Sequence, residues 1–137
     1  MFIVKRGKTK FEYLPVTAST AIAAGTLVTY SSGLLIAATS STAAADIVGV
    51  LKQAIAATDA DYAVGGRLVP VEVPMERFTE WEGDVTSGLV AADIGVENDL
   101  TDGATVNRGA QSVKVVRATK VLSTTKGLFN IKFMGSY

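Results

Sequence analysis

Arg67–Asp84 reads RLVPVEVPMERFTEWEGD, and its first half decides the fold class. Val69, Val71 and Val73 alternate with Pro70, Glu72 and Pro74, which is the period of a half-buried strand. Pro70 and Pro74 each lack a backbone donor, so the spacing predicts a strand at the edge of a sheet. The acidic stretch that follows could form a second extended piece over residues 75–82 and carries the only tryptophan, Trp81. Phe78 and Trp81 sit there among Glu76, Arg77, Glu80 and Glu82. Aromatic anchors surrounded by charge mark interfaces, so both are candidate oligomer-interface residues; the alternative is that both cap the open end of a barrel.

Outward from this stretch the chain reads as short strands separated by turns. Phe11–Val16 is a first strand, followed over 17–25 by a loop or a short turn of helix ending at Gly25. Thr26–Tyr30 and Leu34–Ala38 form a hairpin around Ser31-Ser32-Gly33. Residues 46–57 fit either a helix face or a strand; Gly49 and the β-branched Ile47, Val48 and Val50 favour a strand from Ile47 to about Gln53. Thr58–Gly66 is a loop, Asp84–Gly88 a turn, and Leu89–Gly95 a short strand or turn. Asn98–Gly103 reads as a turn on its Asp-Gly step. Ser112–Leu122 and Leu128–Met134 are the last two strands. AGTLVTYSSGLL at 24–35 and DGATVNRGAQSV at 102–113 echo one another, as two hairpins of one small barrel would. The fold class expected is all-β, a small antiparallel barrel or sandwich. The expected organisation is an N-terminal arm over residues 1–10 and a single barrel domain over 11–137.

The chain has 137 residues, enough to bury a core in one domain. It has no cysteine and no histidine, which removes thiol chemistry, disulfides and the commonest general base and metal ligand. Charge sums to zero but is segregated. Four cations lie in residues 1–11 and six in 106–137, while all thirteen acids lie between, with three cations. Basic ends and an acidic middle attract, within a chain or between neighbours. The most apolar window, Ile47–Ala57, is too short and too polar to span a bilayer. A soluble protein without a targeting segment is expected.

Signals for catalysis are weak. Asp59, Asp61 and Gly65 lack the remaining ligands of a calcium loop, and Asp99 and Asp102 flank a turn in the same way. No nucleophile elbow is present, and Gly65-Gly66 leads into a strand rather than a phosphate-binding helix. Glu80 and Glu82 fit a solvated acidic surface. The reading is non-enzymatic, with no cofactor, no metal and no small-molecule substrate. A basic–aromatic mix at Phe2, Lys5, Arg6, Lys8, Lys10, Phe11 and Tyr13 would suit single-stranded nucleic acid, but the acidic body opposes it.

From Gly25 onward the order AGTLVTYSSG, ADIVGVLKQAI, GGRLVPVEVP, ADIGVENDLTDGATVN and VVRATKVLSTTKGLFNIKF resembles the head decoration (cement) proteins of tailed bacteriophages with a small β-barrel or β-tulip body. The resemblance spans roughly residues 20–134. It implies a homotrimer on the outer surface of the virion capsid, made in the host cytoplasm and bridging major capsid protein subunits. It also implies an N-terminal segment that contacts the lattice. Phe2, Ile3, Lys5, Arg6, Lys8 and Lys10 are the matching capsid- or partner-contact candidates. The alternatives are another phage structural component, such as a fibre base or connector, or a nucleic-acid-binding barrel.

Overall fold

The computed structural model describes residues 1–133, and they are all-β. The strands are β1 (Ile3–Arg6), β2 (Thr9–Val16), β3 (Leu27–Ser31), β4 (Leu34–Ala37), β5 (Ile47–Leu51), β6 (Arg67–Pro74), β7 (Glu80–Val85), β8 (Glu97–Asp102), β9 (Thr105–Asn107), β10 (Val116–Ser123) and β11 (Lys126–Ile131). Short 3₁₀ turns at Ala44–Asp46 and Ala91–Asp93 are the helical elements.

These strands close two barrels where a single one is expected. One runs β2-β4-β3-β5-β6 and back to β2. The other runs β7-β9-β8-β10-β11 and back to β7. The two circuits are identical. Each closes with one parallel seam, β2 with β4 and β7 with β9, and all other pairings are antiparallel. The fold is therefore a doubled five-strand unit. The echo between residues 24–35 and 102–113 does not follow this doubling. It sets β3 against β9, whereas the topology makes the β3–β4 hairpin the counterpart of β8–β9.

The β6 strand is not an edge, which corrects the expectation drawn from its prolines. It pairs with β2 from Thr9↔Pro74 to Val16↔Arg67, and with β5 at Val50↔Glu72 and Leu51↔Val71. Met75 N–H donates to the Lys8 carbonyl and Lys52 N–H to the Pro70 carbonyl. Odd-numbered residues of β6 thus address β2, and even-numbered ones address β5. Pro70 and Pro74 flank Glu72 on the β5 side, where the ladder covers only two registers. A missing donor costs nothing at the margin of so short a ladder.

Two apolar clusters fill the barrels. Val16, Val28, Leu35, Leu51, Val69 and Val71 belong to the first. The second gathers Phe2, Trp81, Leu100, Val116 and Phe129, and takes Leu27, Ile47 and Val50 from the first barrel's strands. The barrels therefore share packing rather than a loose tether. Leu27 N–H donates to the Gly103 carbonyl at 2.7 Å. A Cβ on Gly103 would lie 2.6 Å from Thr26 Cγ2, so the close approach needs glycine there.

Residues 1–10 do not form a free arm. Phe2 is fully buried, and its N–H donates to the Gly25 carbonyl at 2.8 Å. The β1 strand lies antiparallel on β7, with Ile3 opposite Glu82 and Val4 opposite Trp81. It covers the part of the β7 edge that β9 leaves open, since β9 reaches only Asp84 and Val85. The reason is both apolar and electrostatic: a buried aromatic anchors the segment, and its cations face acids of the same chain. Two further expectations shift. Asn98–Gly103 is mostly strand β8, with the hairpin turn falling after Asp102. Residues 75–79 form a linker, and the strand after it runs Glu80–Val85, into the predicted turn.

Candidate interaction surfaces

The outer wall of the first barrel is unusually apolar. Cross-strand partners share a face of a sheet, and the registers set Phe11 opposite Glu72, Tyr13 opposite Pro70 and Pro15 opposite Leu68. The alternate residues Leu14, Val16, Val69 and Val71 point into the core. That parity leaves Phe11, Tyr13 and Leu68 on the outside, 58%, 67% and 63% exposed. Contiguous apolar surface of this kind marks an interaction site.

On the same face lies a buried carboxylate. Glu72 is buried although it points to the outer side of the barrel. Thr9 Oγ1 donates to Glu72 Oε2 at 2.7 Å, and Lys52 Nζ approaches Oε1 at 3.2 Å. The Lys52 contact is an ion pair without hydrogen-bond alignment, so Oε1 has charge compensation but no directed donor.

A second surface is a cleft of about 370 Å³ between the barrels, lined by Ala44, Arg77, Phe78, Arg117, Ile131 and Lys132 among others. Phe78 projects at its rim, with the Arg77 guanidinium 5.5 Å from its ring centre. Arg117 and Lys132 share one carboxylate, Glu97, each at 2.7 Å. Those two cations hold the Glu97 carboxyl below its ordinary value against the opposing effect of burial. Arg77 has no ion-pair partner among the described residues, so the cleft is net cationic. Thr79 Oγ1 donates to the Glu76 carbonyl, and Asn130 Nδ2 to the Thr79 carbonyl, which fixes the linker carrying Arg77 and Phe78.

The contact candidates from the sequence scatter. Phe2 lies in the core and is corrected as a surface contact; Ile3 is half-buried in β1. Lys5 reaches Glu82 at 3.3 Å and Arg6 reaches Glu80 at 3.9 Å, so both meet acids of their own chain. Lys10 pairs with Glu12 at 2.8 Å. Lys8 is exposed and has no ion pair among the described residues. Trp81 is corrected too: it is fully buried, its ring centre 5.6 Å from that of Phe133, while Phe78 is 70% exposed. The alternation in EWEGDV carries the reason, since Trp81, Gly83 and Val85 face in and the acids face out.

Sequence reasoning missed Leu68, and saw Phe11 and Tyr13 only within a basic–aromatic mix. A signal was available. Leu68 has the parity of Pro70 and Glu72, opposite to the core valines, so an apolar residue there faces outward.

The other acids that sequence reasoning weighed as ligands hold the chain together. Asp99 accepts from the backbone N–H groups of Ser112, Val113 and Lys114 at 2.9, 2.7 and 2.7 Å. Burial pushes its carboxyl up, but the three donors outweigh burial and leave it below the ordinary value. Asp59 and Asp61 both pair with the buried Arg67 side chain. Among the described residues no group of three or more potential ligands is placed to hold a metal ion. Comparison with known proteins returns no matching family model and no matching curated sequence.

Proposed function

We propose that this protein is a non-enzymatic structural protein that attaches to the outer surface of a tailed-phage capsid and stabilises the lattice by bridging major capsid subunits. The observation that carries this reading is the exposed apolar wall of Phe11, Tyr13 and Leu68 on a doubly closed, disulfide-free body. Such a wall needs a protein surface to cover it, and a rigid body loses little entropy on docking. The cationic cleft with Phe78 at its rim suits an acidic segment of the same lattice. Weak contacts of this size become secure when many copies and several subunits act together. Self-association, which the family resemblance sets at three copies, belongs to the same proposal.

The body, not a free N-terminal arm, does the docking in this reading. The test is sedimentation of purified protein with expanded, DNA-filled phage heads, followed by a salt wash. Retention on the heads and a raised temperature of DNA release are expected. Full recovery in the supernatant, with head stability unchanged, overturns the proposal.

A further inference from the structure

The two barrels share one strand circuit but not one perimeter. On β7, the edge away from β11 is used twice: β9 takes Asp84 and Val85, and β1 takes Glu80–Glu82. On β2, the equivalent edge carries β4 at Val16 alone. Among the described residues, no strand fills on the first barrel the place that β1 fills on the second.

That open edge is well formed for pairing. Even-numbered residues of β2 address β6, as the Met75 to Lys8 bond shows, so the backbone groups of Thr9, Phe11 and Tyr13 point the other way. They have no backbone partner among the described residues. No proline interrupts residues 9–13; Pro15 comes only where β4 is about to join. Exposed edges of this kind recruit another strand unless charge or proline blocks them.

We propose that β2 of a second copy of this chain fills this edge, antiparallel and two-fold, centred on Phe11. In that register Phe11 faces Phe11 of the second copy, Thr9 faces Tyr13, and Lys10 faces Glu12. The charges match on both sides of the axis, because the strand reads Thr-Lys-Phe-Glu-Tyr and is self-complementary about its centre. About six backbone hydrogen bonds form, two at Phe11 and four at the Thr9–Tyr13 positions. Identical strands paired antiparallel are isologous, so this edge joins copies in twos; a three-fold ring would use another surface. The pairing sets two apolar walls side by side and so deepens the capsid-attachment reading. It stands without that reading, because association is measured on the free protein.

Sedimentation equilibrium from about 1 μM to about 1 mM tests it. Wild type is expected to dimerise with rising concentration. Lys10→Glu and Glu12→Lys each place like charges across the axis and are expected to weaken the dimer about tenfold or more, while an equimolar mixture of the two restores it. Amide exchange at Phe11 and Tyr13 in wild type is expected to slow as concentration rises, a readout that needs no variant to fold. A protein monomeric throughout, a trimer indifferent to both reversals, a mixture that fails to recover, or exchange independent of concentration overturns the proposal.

Discussion

Phe2 packs against Gly83: a Cβ built on Gly83 would lie 2.5 Å from Phe2 Cε1. The contact joins the second residue of the chain to the middle of β7, and it is what turns a basic N-terminus into a barrel strand. Phe2→Ala is expected to cost about 3–5 kcal/mol, as for a buried aromatic. Gly83→Ala is expected to lower the melting temperature as well, by driving the ring out. Both should make Ile3–Arg6 sensitive to protease, and a melting curve with limited proteolysis checks this. Deleting residues 2–10 would therefore unfold part of the body rather than remove a docking arm.

Lys52 and Glu72 form an ion pair on the face that carries the apolar wall. Lys52→Met leaves a buried carboxylate with only Thr9 to compensate it, and is expected to cost about 3 kcal/mol or more. Lys52→Met combined with Glu72→Gln removes the stranded charge and should recover much of the loss. Chemical denaturation of the two variants measures the difference.

Acid should unfold the protein through its backbone-bound and paired carboxylates. The carboxyls of Asp99, Asp93, Asp84 and Glu97 all lie below their ordinary values in the folded chain. In the unfolded chain such groups titrate near pH ~4, so below that the unfolded state binds more protons. Their stabilisation is complete above about pH 4–5 and is lost as pH falls through the folded values. Asp99→Asn should lower stability at neutral pH by about 1–3 kcal/mol, because one amide donor then meets backbone donors. It should also flatten the acid limb, which a pH series of denaturation midpoints reads directly.

Trp81 is fully buried, and its Nε1 has no hydrogen-bond partner among the described residues. Replacing it with Phe sheds an unsatisfied donor along with some packing, so a cost of about 1.5 kcal/mol or less is expected. Trp81→Ala leaves a cavity and should cost about 3–5 kcal/mol. A substitution that changed oligomeric state while leaving stability alone would return Trp81 to the surface.

Much of the strand inventory was readable from alternation, because Val69-Val71-Val73 and Phe129-Ile131 show one buried face each. The Leu27–Ser31 and Leu34–Ala37 hairpin and the strand at Ile47 followed from turn chemistry and β-branching. The partners of each strand were not readable. Proline at 70 and 74 argues for an edge, and only the two-register ladder to β5 shows why it does not make one. The doubling of the barrel was hidden because the two units share a circuit of pairings rather than a run of residues. The charge segregation at the N-terminus was visible, but whether Lys5 and Arg6 serve Glu82 and Glu80 or a neighbour depends on Phe2 entering the core. The outer wall was hidden for a related reason: Phe11 and Tyr13 point outward only once the register to β6 is known.

The proposed capsid attachment runs through the apolar wall of the first barrel, Phe11, Tyr13 and Leu68. The most direct test compares wild type with the Phe11→Ser, Tyr13→Ser, Leu68→Ser triple variant in sedimentation with expanded phage heads. All three side chains are largely exposed, so the variant should fold and melt like wild type. Head occupancy is expected to fall about tenfold or more. A folded triple variant that occupies heads as fully as wild type rules out attachment through this wall.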